Sequence, residues 1–68
     1  MEKGWEQIYI SDKSHLVEIV KAVLAESGIQ SFEVDRRDST SMTMGYIELY
    51  VKNRDVVLSK FLIEKNNL

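Results

Sequence analysis

A chain of 68 residues has room for one domain, and its nine basic and eleven acidic side chains give a formal net charge of −2. Apolar residues make up 44% and charged residues 29%, which favours a folded chain over a disordered one. Cysteine is absent, so disulfides and cysteine-ligated metals are excluded and a reducing, cytoplasmic compartment is expected. Without a basic run or an apolar stretch of ~20 residues, we expect neither a nucleic-acid nor a membrane partner.

Residues 5–10 alternate between two faces, which predicts a first strand. The face expected to be buried carries Glu6, Ile8 and Ile10. The other face carries Trp5, Gln7 and Tyr9.

Ser11 and Asp12 are good caps for a helix predicted from Lys13 to about Ser27. Three- and four-residue spacing places on its buried face Leu16, Ile19, Val20, Val23 and Leu24. Gly28 follows at the position where a left-handed residue most often ends a helix.

A second strand is predicted over Ile29–Asp35 and a third over Tyr46–Val51. The residues expected to face the core are Phe32, Val34, Ile47, Leu49 and Val51. The residues expected on the opposite face are Ser31, Glu33, Asp35, Tyr46, Glu48 and Tyr50. Residues 36–45 are predicted to form a loop, and residues 53 to about 64 a helix that buries Val57, Leu58, Phe61 and Leu62.

This order of elements predicts one α+β domain, residues 1–68, with two helices on one face of a three-stranded sheet. Placing the third strand between the other two, antiparallel to both, gives a ferredoxin-like β-α-β-β-α arrangement whose final strand is missing. A sheet of order 1-2-3 is the alternative.

The predicted open face of the sheet is the first candidate binding surface. It carries four aromatic side chains, Trp5, Tyr9, Tyr46 and Tyr50. Trp and Tyr bury a large area while they keep a polar tip, so such a patch favours a protein contact, self-association included. The alternating acids Glu33, Asp35 and Glu48 would repel the phosphates of RNA. Cross-strand aromatic pairs that merely stabilise the sheet are the alternative interpretation.

The outer edge of the first strand is a second candidate surface. An unpaired edge is a template for another chain, so edge-to-edge homodimerisation is a further hypothesis.

The loop offers a candidate anion site at Arg36 and Arg37, because two guanidinium groups can hold one anion. A self-neutralising charge cluster is the alternative there.

His15, the lone histidine, has no cysteine or carboxylate pair spaced to share a metal. No nucleophile–base–acid set stands out, so we predict no catalytic residues, metal or cofactor.

Three segments together resemble a small bacterial family of unknown function, described as prokaryotic signal-transducing proteins. They are residues 8–11, residues 17–29 with the ending Leu-x-x-x-Gly-Ile, and residues 46–51 followed by Asn53-Arg54-Asp55. Members commonly carry alanine where Ser59 stands, and more glycines before the third strand than Gly45 alone. The resemblance implies a ferredoxin-like fold related to the PII signalling proteins, whose longer loop between the second and third strands contacts partners.

These observations predict a non-enzymatic binding or regulatory module that acts through protein contacts. The alternative is a small-molecule sensor that binds a nucleotide or another anion at residues 36–45.

Overall fold

The structure, a computed structural model, describes residues 4–36 and 45–68. Its elements in chain order are strand β1 (Trp5–Ser11), helix α1 (Ser14–Glu26), strand β2 (Ser31–Asp35), strand β3 (Ile47–Lys52), a 3-10 turn (Asn53–Asp55) and helix α2 (Val56–Lys65). Of the predicted loop, residues 37–44 lie outside this description.

The described strands form one antiparallel sheet of order β1-β3-β2. The predicted α+β class and the central position of β3 are confirmed, and the alternative order 1-2-3 is wrong. The predicted inward residues of β3 are also confirmed, since Ile47, Leu49 and Val51 are buried beneath the helices.

Helix α1 covers the core as predicted and ends in a Schellman motif. Gly28 has φ +75°, and the amide of Ile29 donates to the carbonyl of Leu24 at 3.0 Å. The start of the helix differs slightly from the prediction. Lys13 is the residue before the first helical turn, and its amide donates a hydrogen bond to Ser11 Oγ. The fully buried side chains of α1 are Val20 and Leu24, as predicted, and Val17, which the predicted face left out. Ile19, predicted to be buried, is exposed.

A β-bulge changes the predicted faces of β1. Gln7 lies opposite Tyr50, but Tyr9 lies opposite Leu49, so Ile8 is the extra residue between them. Before the bulge, Trp5 and Gln7 lie on the open face as predicted. After it the faces exchange: Tyr9 packs against the core and Ile10 is 47% exposed. The predictions that Ile10 is buried and Tyr9 lies on the open face are wrong.

Strand β2 also has the opposite phase to the prediction. Phe32 lies opposite Tyr50 and Val34 opposite Glu48, and directly opposed residues share one face of a sheet. Phe32 and Val34 therefore lie on the open face. The alternate residues Ser31, Glu33 and Asp35 lie on the helix side, so their predicted place on the open face is wrong.

Helix α2 turns a different face to the core from the one predicted. Ser59 is fully buried, and Val56, Leu62 and Ile63 pack against the core. Val57 is 82% exposed and Phe61 57% exposed, and Leu58 is exposed beside them. The burial predicted for Leu62 is confirmed in part, and that for Val57, Leu58 and Phe61 is wrong.

Candidate protein-contact face

Three aromatic rings meet on the sheet face that lies opposite the helices, one from each strand. The rings of Trp5 and Phe32 meet edge to face with centroids 4.9 Å apart. Phe32 stacks on Tyr50 with centroids 5.2 Å apart and ring planes 8° apart. We call this face, with Trp5, Ile10, Phe32, Glu48, Tyr50 and Lys52, the aromatic face.

The strand register explains why these side chains meet. Trp5 and Lys52 are cross-strand partners, as are Phe32 and Tyr50, and β3 places Tyr50 and Lys52 two residues apart on one face. Lys52 Nζ lies 5.9 Å from the centre of the Trp5 ring, within cation–π range. Tyr50 is covered by the residues around it, and only 7% of it is exposed.

A hydrogen-bonded network lies beside the rings. The Tyr50 hydroxyl donates to Glu48 Oε1 at 2.9 Å, and Arg36 Nε donates to the same oxygen at 2.9 Å. The hydrogen bond from Arg36, followed by that from Tyr50, lowers the pKa of Glu48. The hydrogen bond to Glu48 raises the pKa of Tyr50 and that of Arg36.

The network predicts opposite pH dependences at its two ends. The folded-state pKa of Glu48 is lowered, so its stabilisation is complete above the ordinary value of 4.5 and is lost as pH falls through the folded-state value. The pKa of Tyr50 is raised, so its stabilisation is complete below 10.0 and is lost as pH rises through the folded-state value.

We expect Arg36→Gln to move the pKa of Glu48 back towards 4.5, because it removes the strongest donor to that carboxylate. Carboxyl chemical shifts measured by NMR across a pH titration would follow Glu48 directly. Lys60→Gln, which removes one positive charge from the exposed part of α2, is the matched control and should leave that titration unchanged. Identical titrations in wild type and Arg36→Gln would contradict the network.

The remaining candidate residues lie in different places. Tyr9 is turned towards the helices, where its hydroxyl is 3.5 Å from the carbonyl oxygen of Leu68. Tyr46 is exposed just before β3. Arg36 is bound to Glu48, and Arg37 lies outside the described residues, so the paired anion site predicted for them stays a prediction.

Phe32 is the contact-face residue that the sequence reasoning missed. The phase predicted for β2 placed Phe32 towards the helices, whereas it lies opposite Tyr50 on the open face. Alternation gives no signal for the phase, because it cannot show which face of β2 the helices cover. In the structure Lys21 Nζ of α1 donates to Glu33 Oε1 at 2.8 Å, and this hydrogen bond raises the pKa of Lys21.

Metal-ligand clusters and membrane-spanning helices are absent from the described residues. Within residues 4–36 and 45–68, no three His, Cys, Asp or Glu side chains come close enough to hold a metal ion. Neither helix in those ranges has the length and apolar character needed to cross a bilayer. His15 is exposed on the first turn of α1.

Comparisons with family models, with curated proteins and with solved structures find no match to this chain.

Proposed function

We propose that this protein is a non-enzymatic binding or regulatory module that acts through a protein contact on its aromatic face. The observation that supports the proposal is the cluster of Trp5, Phe32 and Tyr50 on a sheet face that neither helix covers. Aromatic residues are enriched at protein interfaces because they bury large areas with little loss of side-chain freedom.

The surroundings of the cluster have the layout of an interface. On the same face Ile10, opposite Glu48, is 47% exposed and adds apolar area. Lys52 and the Arg36–Glu48 pair supply charged groups beside it. An apolar centre with a polar rim is the usual anatomy of a protein–protein contact. The partner we propose is therefore a protein surface with an apolar centre and at least one acidic group placed to meet Lys52.

Single-stranded RNA is the competing ligand for a sheet with aromatic side chains. The acids Glu33 and Asp35 do not argue against it, since β2 turns both to the helix side. The argument comes instead from the rings: Tyr50 is already stacked on Phe32 and is 7% exposed, so its face is not accessible to a base. The net charge of −2 also gives phosphate little attraction.

The proposal also includes a ferredoxin-like arrangement of the fold and a relation to the family that the sequence resembles. The order β1-β3-β2 with a helix between β1 and β2 supports a ferredoxin-like arrangement. We propose on this basis, together with the resembling segments, a relation to the prokaryotic signal-transducing family. The ion pair of Arg36 with Glu48 favours the aromatic face over the loop sensor, because an anion at the loop would compete with Glu48 for the Arg36 guanidinium group.

A photo-reactive amino acid placed at position 10 or position 22 tests the proposal in the cell that makes the protein. Position 10 lies on the aromatic face, whereas Ala22 is exposed on α1 and serves as the matched control. We expect illumination to join another protein to position 10 and not to position 22. Adding Phe32→Ala to the position-10 protein should remove that product, provided that circular dichroism shows the variant to be folded.

The purified partner can then be titrated against the unlabelled protein. Trp5 is the only tryptophan, so its fluorescence reports occupation of the aromatic face directly. Ile10→Lys should weaken binding about tenfold or more by replacing exposed apolar area on this face with a charge, and Ala22→Lys should not. Products with nucleic acid alone, or equal products at positions 10 and 22, would contradict the proposal.

A further inference from the structure

Helix α2 carries apolar side chains that the fold does not bury. Val57 is 82% exposed, Phe61 is 57% exposed and Leu58 is exposed between them. Val57 and Phe61 are four residues apart and so lie on one face of the helix, with Leu58 at its border. We call these three residues the α2 ridge.

The ridge exists because α2 is oriented by other residues. Ser59 is fully buried, and Ile63, four residues later, packs against the core. Positions 57 and 61 are each two residues from Ser59, and residues two apart lie on nearly opposite sides of a helix. Burial of Ser59 therefore turns Val57 and Phe61 to solvent. The ridge lies on the helix side of the sheet, away from the aromatic face.

From this arrangement we propose that the α2 ridge is a docking surface for a second copy of this chain, with the two α2 helices antiparallel. A two-fold axis at the level of Ser59 places Val57 of each copy opposite Phe61 of the other. Contacts of this kind are self-complementary, because each copy supplies both members of the pair. This proposal is independent of the function proposed for the aromatic face.

Charge complementarity supports a second copy as the occupant. The same two-fold axis pairs position 54 with position 64, five residues to either side of Ser59. These positions hold Arg54 and Glu64, which have opposite charges and are both exposed. Arg54 Nε lies 3.8 Å from Oδ2 of its neighbour Asp55, and the Arg54 side chain is 78% exposed. Each dimer would thus gain two symmetric ion pairs at the ends of the ridge.

The size of the surface sets the expected affinity. Ten helical residues span about 15 Å, which offers less than the ~800 Å² per partner that stable dimers commonly bury. The dimer should therefore be weak, forming at roughly 0.1–1 mM protein and dissociating on dilution to about 1 μM.

Sedimentation velocity of the full chain across that concentration range, at low ionic strength, is the first measurement. Phe61→Glu should raise the dissociation constant at least about tenfold, because it places a charge at the centre of the contact. Unfolding by urea shows whether the variant remains folded, as expected for a side chain that is 57% exposed. Ile10→Lys, on the aromatic face, is the matched control and should leave the dissociation constant unchanged.

A charge exchange identifies the antiparallel geometry. Arg54→Glu alone and Glu64→Arg alone should each weaken the dimer roughly two- to fivefold, and the double variant should recover the affinity. A mixture of the two single variants should form heterodimers in preference to either homodimer. A protein that is monomeric at 1 mM, or a dimer unaffected by Phe61→Glu, would overturn the proposal. A dimer weakened by Phe61→Glu but not restored by the double exchange would overturn the antiparallel arrangement.

Discussion

Leu49→Ala is expected to remove about 3 kcal/mol from the free energy of unfolding. Leu49 is fully buried at the centre of the middle strand, opposite Tyr9 on one side and Glu33 on the other. A domain of this length has a total stability of roughly 3–10 kcal/mol, so the variant should lose a large part of it. Urea unfolding, followed by circular dichroism and by the fluorescence of Trp5, measures the change.

The matched control for that experiment is Ile10→Ala. Simple alternation along β1 would bury Ile10, but the bulge at Ile8 leaves it 47% exposed. Its truncation should therefore cost less than about 1 kcal/mol. If Ile10→Ala proved as destabilising as Leu49→Ala, the bulge and the register of β1 would be contradicted.

Ser59→Leu is expected to lower the free energy of unfolding by about 1–3 kcal/mol, and Ser59→Ala to raise it by about 1 kcal/mol. Ser59 is fully buried where α2 meets the core, so a leucine there would force the helix outward. Its hydroxyl has no hydrogen-bond partner among the described residues. Removing a buried, unpaired hydroxyl recovers the cost of its desolvation while a methyl group still fills most of the space.

Thermal and urea unfolding of the two variants, beside wild type, give opposite shifts if Ser59 is packed as described. Leu58→Ser serves as the control, since the residue next along the helix is exposed and its substitution should change stability little. Destabilisation by Ser59→Ala would show that the hydroxyl has a partner. An unchanged stability in Ser59→Leu would show that the position is not tightly packed.

Helix α1 and strand β3 were predictable because several independent signals agree in each. In α1 the apolar spacing and Gly28 point to the same boundaries, and the Schellman hydrogen bonds confirm the end. In β3 the three inward positions are aliphatic and the intervening ones carry polar atoms, so one phase is clearly better. Covering one sheet face with two helices left two strand orders open, and the structure has the order β1-β3-β2.

The faces of β1 and β2 were harder to predict for two different physical reasons. A bulge adds one residue without a distinctive sequence signal, so Tyr9 and Ile10 exchange faces. In β2, alternation shows that Phe32 and Val34 share a face but cannot show which face the helices cover. In the observed phase Glu33 contacts Lys21 of α1. The bulge in β1 removes Tyr9 from the candidate face, and the phase of β2 adds Phe32 to it.

Helix α2 has apolar residues around most of its circumference, so its sequence allows more than one buried face. Val57, Leu58 and Phe61 formed one plausible stripe, whereas the fold buries Ser59 with Val56 and Ile63 beside it. A small buried serine is a poor hydrophobic signal. The small side chain of Ser59 lets the helix approach its neighbours closely, and a sequence pattern does not show this.

The strand order has a consequence for the sequence of folding events. Strand β2 meets β3 across a short separation, with Asp35 opposite Ile47, whereas Trp5 at the start of β1 must find Lys52 near the other end of the chain. Closing the longer loop costs more entropy, so β1 should join the sheet after β2 and β3 have paired. The contact between Trp5 and Phe32 then forms only after β2 and β3 have paired. Tryptophan fluorescence in refolding experiments would thus follow completion of the sheet rather than its nucleation.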